Sequence, residues 1–356
     1  MASTTLPKTM LAWQRHLPST ELLRLEVPVP TPTGDEILVK ILAAGVCHSD
    51  YALKHMEKLP SEFLKWKPNF TMGHEGAGEV VATGPAAKDF KVGDKVVVMC
   101  VPGCGDSLTC PECSRGVPQI CHQSPHFGGG HDGFFADYTV VPERAAVLLP
   151  TGVTFEAGAV ATDACMTAHH AVVDRAGAEK GQTLLIIGLG GLGFNALQIA
   201  LSKSARVVVM DQRQAVLDAA EALGVPKEDI VPASAPNPSQ WLRDHAIDVD
   251  TVIDFCGLKQ TFETAVASVR KAGTIIVVGL LSPEISLATG TIVRKQLSIL
   301  GSYGGTIDNI KDCLNLIQNG ALVPQISRGK MKDFPTILDD LHAGKIVGRM
   351  VMLPEW

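Results

Sequence analysis

The hexapeptide Gly188-Leu189-Gly190-Gly191-Leu192-Gly193 constrains this chain more than any other feature. It follows an apolar run of strand length, Leu184–Ile187, and opens an apolar run of helix length, Phe194–Leu201. A G-x-G-x-x-G turn alone is weak evidence, but between a buried strand and a packed helix its meaning is specific. Gly188 permits the tight turn and Gly190 lets the backbone approach a pyrophosphate. Gly193 lets helix and strand pack closely, with the helix N-terminus facing the phosphates. The next strand-like run, Arg206–Asp211, ends on an acid 18 residues beyond Gly193. A carboxylate there accepts hydrogen bonds from the adenosine ribose hydroxyls and repels a 2′-phosphate, which favours NAD over NADP. An acid that merely closes a turn is the bland alternative. Arg213, two residues on, meets a 2′-phosphate, stacks over adenine or points to solvent, so NADP stays open.

The same texture continues on both sides of the turn. Apolar runs at Thr251–Cys256, Thr274–Gly279 and Leu297–Gly301 alternate with helix-period segments at Gln212–Leu223 and Gln260–Lys271. Strand–helix alternation at this spacing predicts a parallel sheet with helices on both faces. Before Thr183 the chain reads as short strands broken by Gly and Pro, among them Glu36–Leu42, Gly78–Thr83 and Asp94–Met99, a barrel-like β region. The helical patterns Asp308–Asn319 and Phe334–Ala343 and the strand-like Gly348–Leu353 return to that first region. A length of 356 residues fits two domains, and 46% hydrophobic residues supply both cores. The net charge of −6 argues against a duplex nucleic-acid binder. Leu184–Leu201 is apolar enough to raise the question of a membrane span. Its four glycines with Asn195 and Gln198 read better as strand, turn and helix, so no membrane partner is expected. Met1–Met10 shows no basic-then-apolar secretory pattern. The nine cysteines are therefore expected in a reducing, cytoplasmic setting, where metal or thiolate chemistry outranks disulfides.

Cys47-His48-Ser49-Asp50 follows a small-residue strand end, and Gly73-His74-Glu75-Gly76-Ala77-Gly78-Glu79-Val80 lies further on. A thiolate and an imidazole, each in a glycine-flanked turn, are ligand-like. Here the chain closely resembles the zinc-dependent medium-chain alcohol dehydrogenases. The signature G-H-E-x-x-G-x-V matches at every fixed position, and the likeness extends to the glycine turn and the Val347-Gly348-Arg349 tail. The resemblance implies an α/β chain with a GroES-like, β-barrel-type catalytic domain at 1–166 and 303–356. It implies an NAD-binding Rossmann domain at 167–302, and a catalytic zinc. In the family the third zinc ligand stands four residues before a Thr. Counting back from Thr167 gives Asp163, whereas Cys165 lies two residues before it. The expected ligands are Cys47, His74 and Asp163, with Cys165 as the alternative; Glu75 either ligates transiently or stands behind the metal. Asp50 is the expected partner of the other His74 nitrogen.

The family's structural zinc loop reads C-x2-C-x2-C-x7-C. This chain has Cys104, Cys110, Cys113 and Cys121, with three extra residues in the first gap. Lengthening a loop costs little closure entropy, so a four-thiolate zinc is expected. A metal-free loop is the alternative, and Cys100 is a substitute ligand. Cys256 and Cys313 read as core, and His122, His126, His131, His169 and His170 as structural or surface residues. By resemblance, Ser49 takes the substrate proton, and His48 and Arg349 reach the cofactor pyrophosphate. Thr167 borders the nicotinamide, and Gly188, Gly190, Gly191, Leu192, Gly193, Asp211, Arg213 and Gly279 complete the cofactor site. Where many relatives carry a relay His five residues after the Cys, this chain has Ala52, with His55 three further on. The segment from Tyr51 to Phe70, with Phe63 and Trp66, lines a large apolar pocket or caps the barrel.

The expected reaction is hydride transfer between a small-molecule alcohol or carbonyl and NAD, in a homodimer or homotetramer. The alternatives are an NADPH-preferring carbonyl reductase of the same fold and a non-catalytic dinucleotide-binding protein.

Overall fold

Strands dominate up to Leu148 in the computed structural model, which describes residues 6–59 and 66–356. β1 (Thr9–His16), β2 (Leu22–Pro28) and β3 (Glu36–Val46) precede a short helix, α1 (His48–His55). β4 (Asn69–Thr71), β5 (Glu75–Thr83), β6 (Lys95–Val98), β7 (Tyr138–Pro142) and β8 (Ala146–Leu148) follow. A helical stretch then passes through α2 (Phe155–Val160), a wide π-helical turn at Ala161–Cys165, α3 (Met166–His169) and a second π turn at His170–Arg175.

From Thr183 strand and helix alternate: β9 (Thr183–Ile187), α4 (Gly193–Ser202), β10 (Arg206–Met210), α5 (Gln214–Ala222), β11 (Ile230–Val231) and α6 (Pro238–Asp244). The series goes on through β12 (Val249–Asp254), α7 (Lys259–Ser268), β13 (Val269–Val277), α8 (Thr289–Lys295) and β14 (Ser298–Gly301). The last elements are α9 (Ile307–Gln318), β15 (Ile326–Lys330), α10 (Phe334–His342) and β16 (Arg349–Leu353).

The chain forms two compact units. One comprises Met1–Asp163, Gly305–Gln318 and Pro324–Trp356; the other comprises Ala164–Gly304 and Asn319–Val323. The first unit carries a sheet in the order β15-β16-β3-β5-β6-β8, with β7 also paired to β3, and a smaller sheet β2-β1-β4. Period-two burial turns Ile37, Val39 and Ile41 of β3 inward, where they join Phe70, Phe134 and Phe334 in the core. Truncating one of these phenylalanines to Ala should cost about 3–5 kcal/mol. Register explains where a site can form. Gly45 of β3 stands opposite Glu75 of β5, and Val46 stands opposite Met350 of β16. The ends of three strands that carry Cys47, His74 and Arg349 therefore converge without any help from the loops.

In the second unit six strands run parallel in the order β11-β10-β9-β12-β13-β14. Counted from β9, this is the doubly wound order 3-2-1-4-5-6, whose crevice for a ligand opens beside the first strand. Runs such as Val207-Val208-Val209 are apolar throughout because both sheet faces are covered.

Two sequence expectations change here. Cys47-His48-Ser49-Asp50 is not a free turn: Cys47 is the N-cap of α1. The Tyr51–Phe70 segment divides its roles. Tyr51 stacks on His342 of α10 at 3.9 Å, and Phe70 is core. Trp66 lies 4.9 Å from the His126 ring, and Phe63 falls outside the described residues.

Candidate active site

Cys47 is held by a reciprocal cap. Its backbone N–H donates to Asp50 Oδ2 at 2.9 Å, and the Ser49 N–H donates to Cys47 Sγ at 3.2 Å. His74, on the turn before β5, brings Nε2 to 3.0 Å from Cys47 Sγ and Nδ1 to 3.1 Å from Asp50 Oδ1. Asp50 thus braces both first residues of the cluster, as expected for the His74 tautomer. The π turn at Ala161–Cys165 carries Asp163, whose Oδ2 lies 3.9 Å from His74 Nε2. One donor atom each from Cys47, His74, Glu75 and Asp163 lies within 4.8 Å of the others. Cys165 is fully buried and is not among these grouped donors.

The electrostatics of this group ask for a cation. Burial alone would lower the His74 pKa, but the Cys47 sulfur and the Asp50 carboxylate hold it well above the usual value. Burial pushes the Glu75 carboxyl up, to about 8, against the pull of Arg349. Glu75 threads past Gly45, where a Cβ would stand 2.1 Å from Oε2. Arg349 is buried. Its Nε lies 3.1 Å from Glu75 Oε2, and its Nη2 pairs with Glu75 Oε1 and Asp163 Oδ2. One guanidinium and one imidazole face a sulfur and three carboxylates. A thiolate, imidazole and carboxylate set of this kind suits Zn²⁺. Ser49 and His48 are exposed at the start of α1, and Thr167 is buried in α3. The His55 ring lies 4.5 Å from the Tyr51 ring, tilted by 47°.

A residue absent from the sequence reading anchors the far end of α1. Arg15 of β1 is fully buried. It donates from Nε to Leu53 O at 3.2 Å and from Nη2 to Met56 O at 2.7 Å. These carbonyls end α1, so the cation sits at the negative pole of the helix. Among the described residues Nη1 has no hydrogen-bond partner. No local pattern marks this role, because it depends on a pairing that brings β1 over a helix thirty-odd residues away.

The four cysteines of the 104–121 loop also converge. Cys104 and Cys113 sulfurs are 3.7 Å apart, those of Cys110 and Cys121 3.6 Å, and all four lie within 4.8 Å. The lengthened gap is ordered by Asp106. Its Oδ1 accepts from Leu108 N at 2.9 Å and Thr109 N at 2.8 Å, a side-chain turn that absorbs the extra residues. Burial pushes the Cys113 thiol up to about 12, so holding that sulfur as a thiolate needs a compensating cation.

In the second unit the glycine turn follows β9 and opens α4. Gly188 has φ of 87°, and a Cβ on Gly193 would stand 1.8 Å from Gly188 O, so only glycine permits this approach. Gly190 has nothing within 4 Å of its Cβ position, leaving space beside the turn. Gly191 and Leu192 lead into α4, and Gly279 lies against the Cys256–Gly257 backbone. Cys256, expected in the core, is partly exposed beside Gly188, whereas Cys313 is buried. Asp211 is buried and accepts four hydrogen bonds. They come from Leu189 N at 2.8 Å, Arg213 N at 2.9 Å, Arg213 Nε at 3.0 Å and Arg213 Nη2 at 2.9 Å. Burial would raise the Asp211 pKa, but the Arg213 side chain and these N–H donors hold it below the usual range. The Arg213 side chain forks onto Asp211.

Among the described residues no helix is long and apolar enough to cross a membrane. Two family models match: an alcohol dehydrogenase GroES-like domain over residues 33–151 and a zinc-binding dehydrogenase domain over residues 191–319. Alcohol dehydrogenase 1 of Emericella nidulans is 32% identical over 94% of this chain and 95% of its own length. The NAD-dependent alcohol dehydrogenase of Sulfurisphaera tokodaii is 30% identical over 93% and 96%. Acetophenone reductase from Geotrichum candidum, solved in complex with NAD, superposes with a TM-score of 0.87 at 32% identity, covering 98% of each chain. With the doubly wound sheet, the glycine turn and the Cys47–His74 pair in place, these likenesses make the chain a member of the zinc-dependent medium-chain alcohol dehydrogenase family.

Proposed function

We propose that this oxidoreductase interconverts primary or secondary alcohols and their aldehydes or ketones with NAD. Cys47, His74 and Asp163 are the resident zinc ligands, and Cys104, Cys110, Cys113 and Cys121 hold a second, structural zinc. The observation that carries the reading is the convergence of a thiolate, an imidazole and a carboxylate, with Asp50 fixing the His74 tautomer. Zinc, when bound, polarises the alcohol or carbonyl oxygen, and NAD exchanges the hydride.

The rest is the work of this chain's own residues. Cys47 and Asp163 supply negative charge, and Asp50 keeps His74 Nε2 aimed at the metal position. Ser49, exposed beside Cys47, takes the substrate proton. Arg349 restrains Glu75 and Asp163 and, with His48, is assigned to the cofactor pyrophosphate. Thr167 borders the nicotinamide. Gly188, Gly190, Gly191, Leu192 and Gly193 cradle the phosphates, and Gly279 and Asp211 complete the dinucleotide site. The division of labour is a metal-holding domain at 1–166 and 303–356 and a cofactor-holding domain at 167–302.

We further propose a homo-oligomer. The support is β14, the edge of its sheet, together with exposed Leu280, Leu281, Val293 and Ile299 on the same flank. A reducing, cytoplasmic setting suits nine free thiols. The deciding experiment is NAD reduction over a panel of primary and secondary alcohols, with metal analysis before and after a chelator. Activity that survives complete removal of metal overturns the reading.

A further inference from the structure

Arg15 is a buried cation that meets no acid. The residue is fully buried, and burial alone lowers its pKa. Among the described residues it makes no ion pair, and Nη1 has no hydrogen-bond partner. What it does meet is the end of α1, through Leu53 O and Met56 O. A buried charge without a counter-charge is costly, and an apolar side chain of similar volume in its place is often neutral or stabilising. Stability alone therefore does not account for an arginine here. We infer that Arg15 is a positioning residue for the reaction: by fixing the end of α1 it sets where Ser49 stands beside Cys47.

The inference rests on the role proposed above for Ser49. α1 has eight residues and is about 12 Å long, a rod short enough for its two ends to move as one. Its first turn is tied through Asp50, which accepts from the Cys47 N–H and faces His74 Nδ1. Those ties hold Cys47 and His74 but leave Ser49 exposed, so a helix that pivots about Cys47 carries the Ser49 hydroxyl with it. The direction of the rod is set at its other end. Arg15 stands on β1, the middle strand of its sheet, opposite Leu22 on one side and Phe70 on the other. Its backbone is thus held on both flanks, and from that anchor two charge-assisted bonds fix two carbonyls in direction as well as distance. The contacts of α1 with α10 are less demanding. Tyr51 and His342 stack with ring planes 2° apart, which tolerates sliding. Lys54 lies 3.5 Å from an Asp339 carboxylate that is mostly exposed, a pair of little strength. A small pivot matters because a reacting group misplaced by about 1 Å can cost about 100-fold in rate.

The test compares Arg15→Met and Arg15→Lys with the wild type, all zinc-loaded. Arg15→Met should hold the reactive zinc as tightly as the wild type in competitive chelation, and should melt close to it. Its kcat should fall by about 10–100-fold, with the alcohol KM changed less. The solvent deuterium isotope effect on kcat should rise, because proton transfer to Ser49 becomes the slow step. Arg15→Lys, which keeps the charge and a donor, should recover part of the rate. An Arg15→Met variant with wild-type kcat and isotope effect overturns the inference and leaves the alcohol dehydrogenase reading intact. So does joint loss of zinc and rate, which would make Arg15 a support of the metal donors. An Arg15→Met chain that does not fold also overturns it, since stability would then account for the arginine. Absence of alcohol turnover in the wild type removes both readings.

Discussion

The two clusters of the first unit hold their donors in opposite ways. Cys104, Cys110, Cys113 and Cys121 are four like atoms from one loop, brought together by turns that the loop makes for itself. Cys47, His74 and Asp163 come from a helix cap, a turn before a strand and a π-helical turn more than a hundred residues away. The loop has only sulfur to offer and can close around a metal completely. The mixed cluster is knit into a charge network, with Asp50 behind His74 and Arg349 between Glu75 and Asp163. A self-contained loop is tuned to hold, whereas a site drawn from several elements can be tuned to react. Its donors are each answerable to a neighbour that fixes charge and direction.

The strongest way to break this comparison is at the third ligand. Asp163→Ala should remove the reactive zinc and cut kcat/KM by more than the roughly 10–100-fold typical of losing an outer partner. Cys165→Ala should keep most of the zinc and the rate. Zinc analysis and steady-state kinetics on both variants check this, and the reverse pattern would show that the π turn presents Cys165 instead. Next, Asp50→Asn leaves every ligand in place but removes the charge behind His74. Zinc affinity at the reactive site should fall about 10–100-fold, with the four-cysteine site unaffected, as competitive chelation would register.

Cys110→Ser sharpens the contrast from the other side. Metal content should drop from about two zinc per chain to about one. Thermal stability should fall by roughly 2–4 °C for each kcal/mol lost, while turnover per folded molecule is largely kept. An equal loss of both metals would mean that the sites are not independent. The smallest effect lies in the second unit and concerns pH. Asp211 is held below the usual carboxylate range in the fold, so it contributes stability above the unfolded pKa and loses it as pH falls through the folded value. Melting curves of wild type and Asp211→Asn should therefore converge as the solution is acidified below about pH 4 and separate above it.

What could be read beforehand follows the same division. The glycine turn and the cysteine spacing are local patterns, and local chemistry imposes them on the sequence; the Asp163 register is legible only through the family resemblance. Element boundaries in the second unit were legible because apolar runs and turn glycines alternate there. The start of α1 was not, because Cys47 occupies a position where Ser, Thr, Asp or Asn would announce a helix. The pairings of Arg349 with Glu75 and Asp163 span 274 and 186 residues, and no spacing rule reaches that far. Arg213 lay close enough to Asp211 to be suspected. That it would saturate the carboxylate depended on the Leu189 N–H from another turn.

Arg15 changes what counts as the smallest working piece of this enzyme. Judged by donor atoms alone, a fragment beginning at residue 33, where the GroES-like match starts, would contain every ligand of the reactive cluster. It would lack the guanidinium that grips the last carbonyls of α1. The carbonyls of Leu53 and Met56 would then lose their buried donor, leaving the end of α1 to its packing on α10. Anyone transplanting this metal centre into another scaffold must carry over the first strand as well, or design a new clamp in its place.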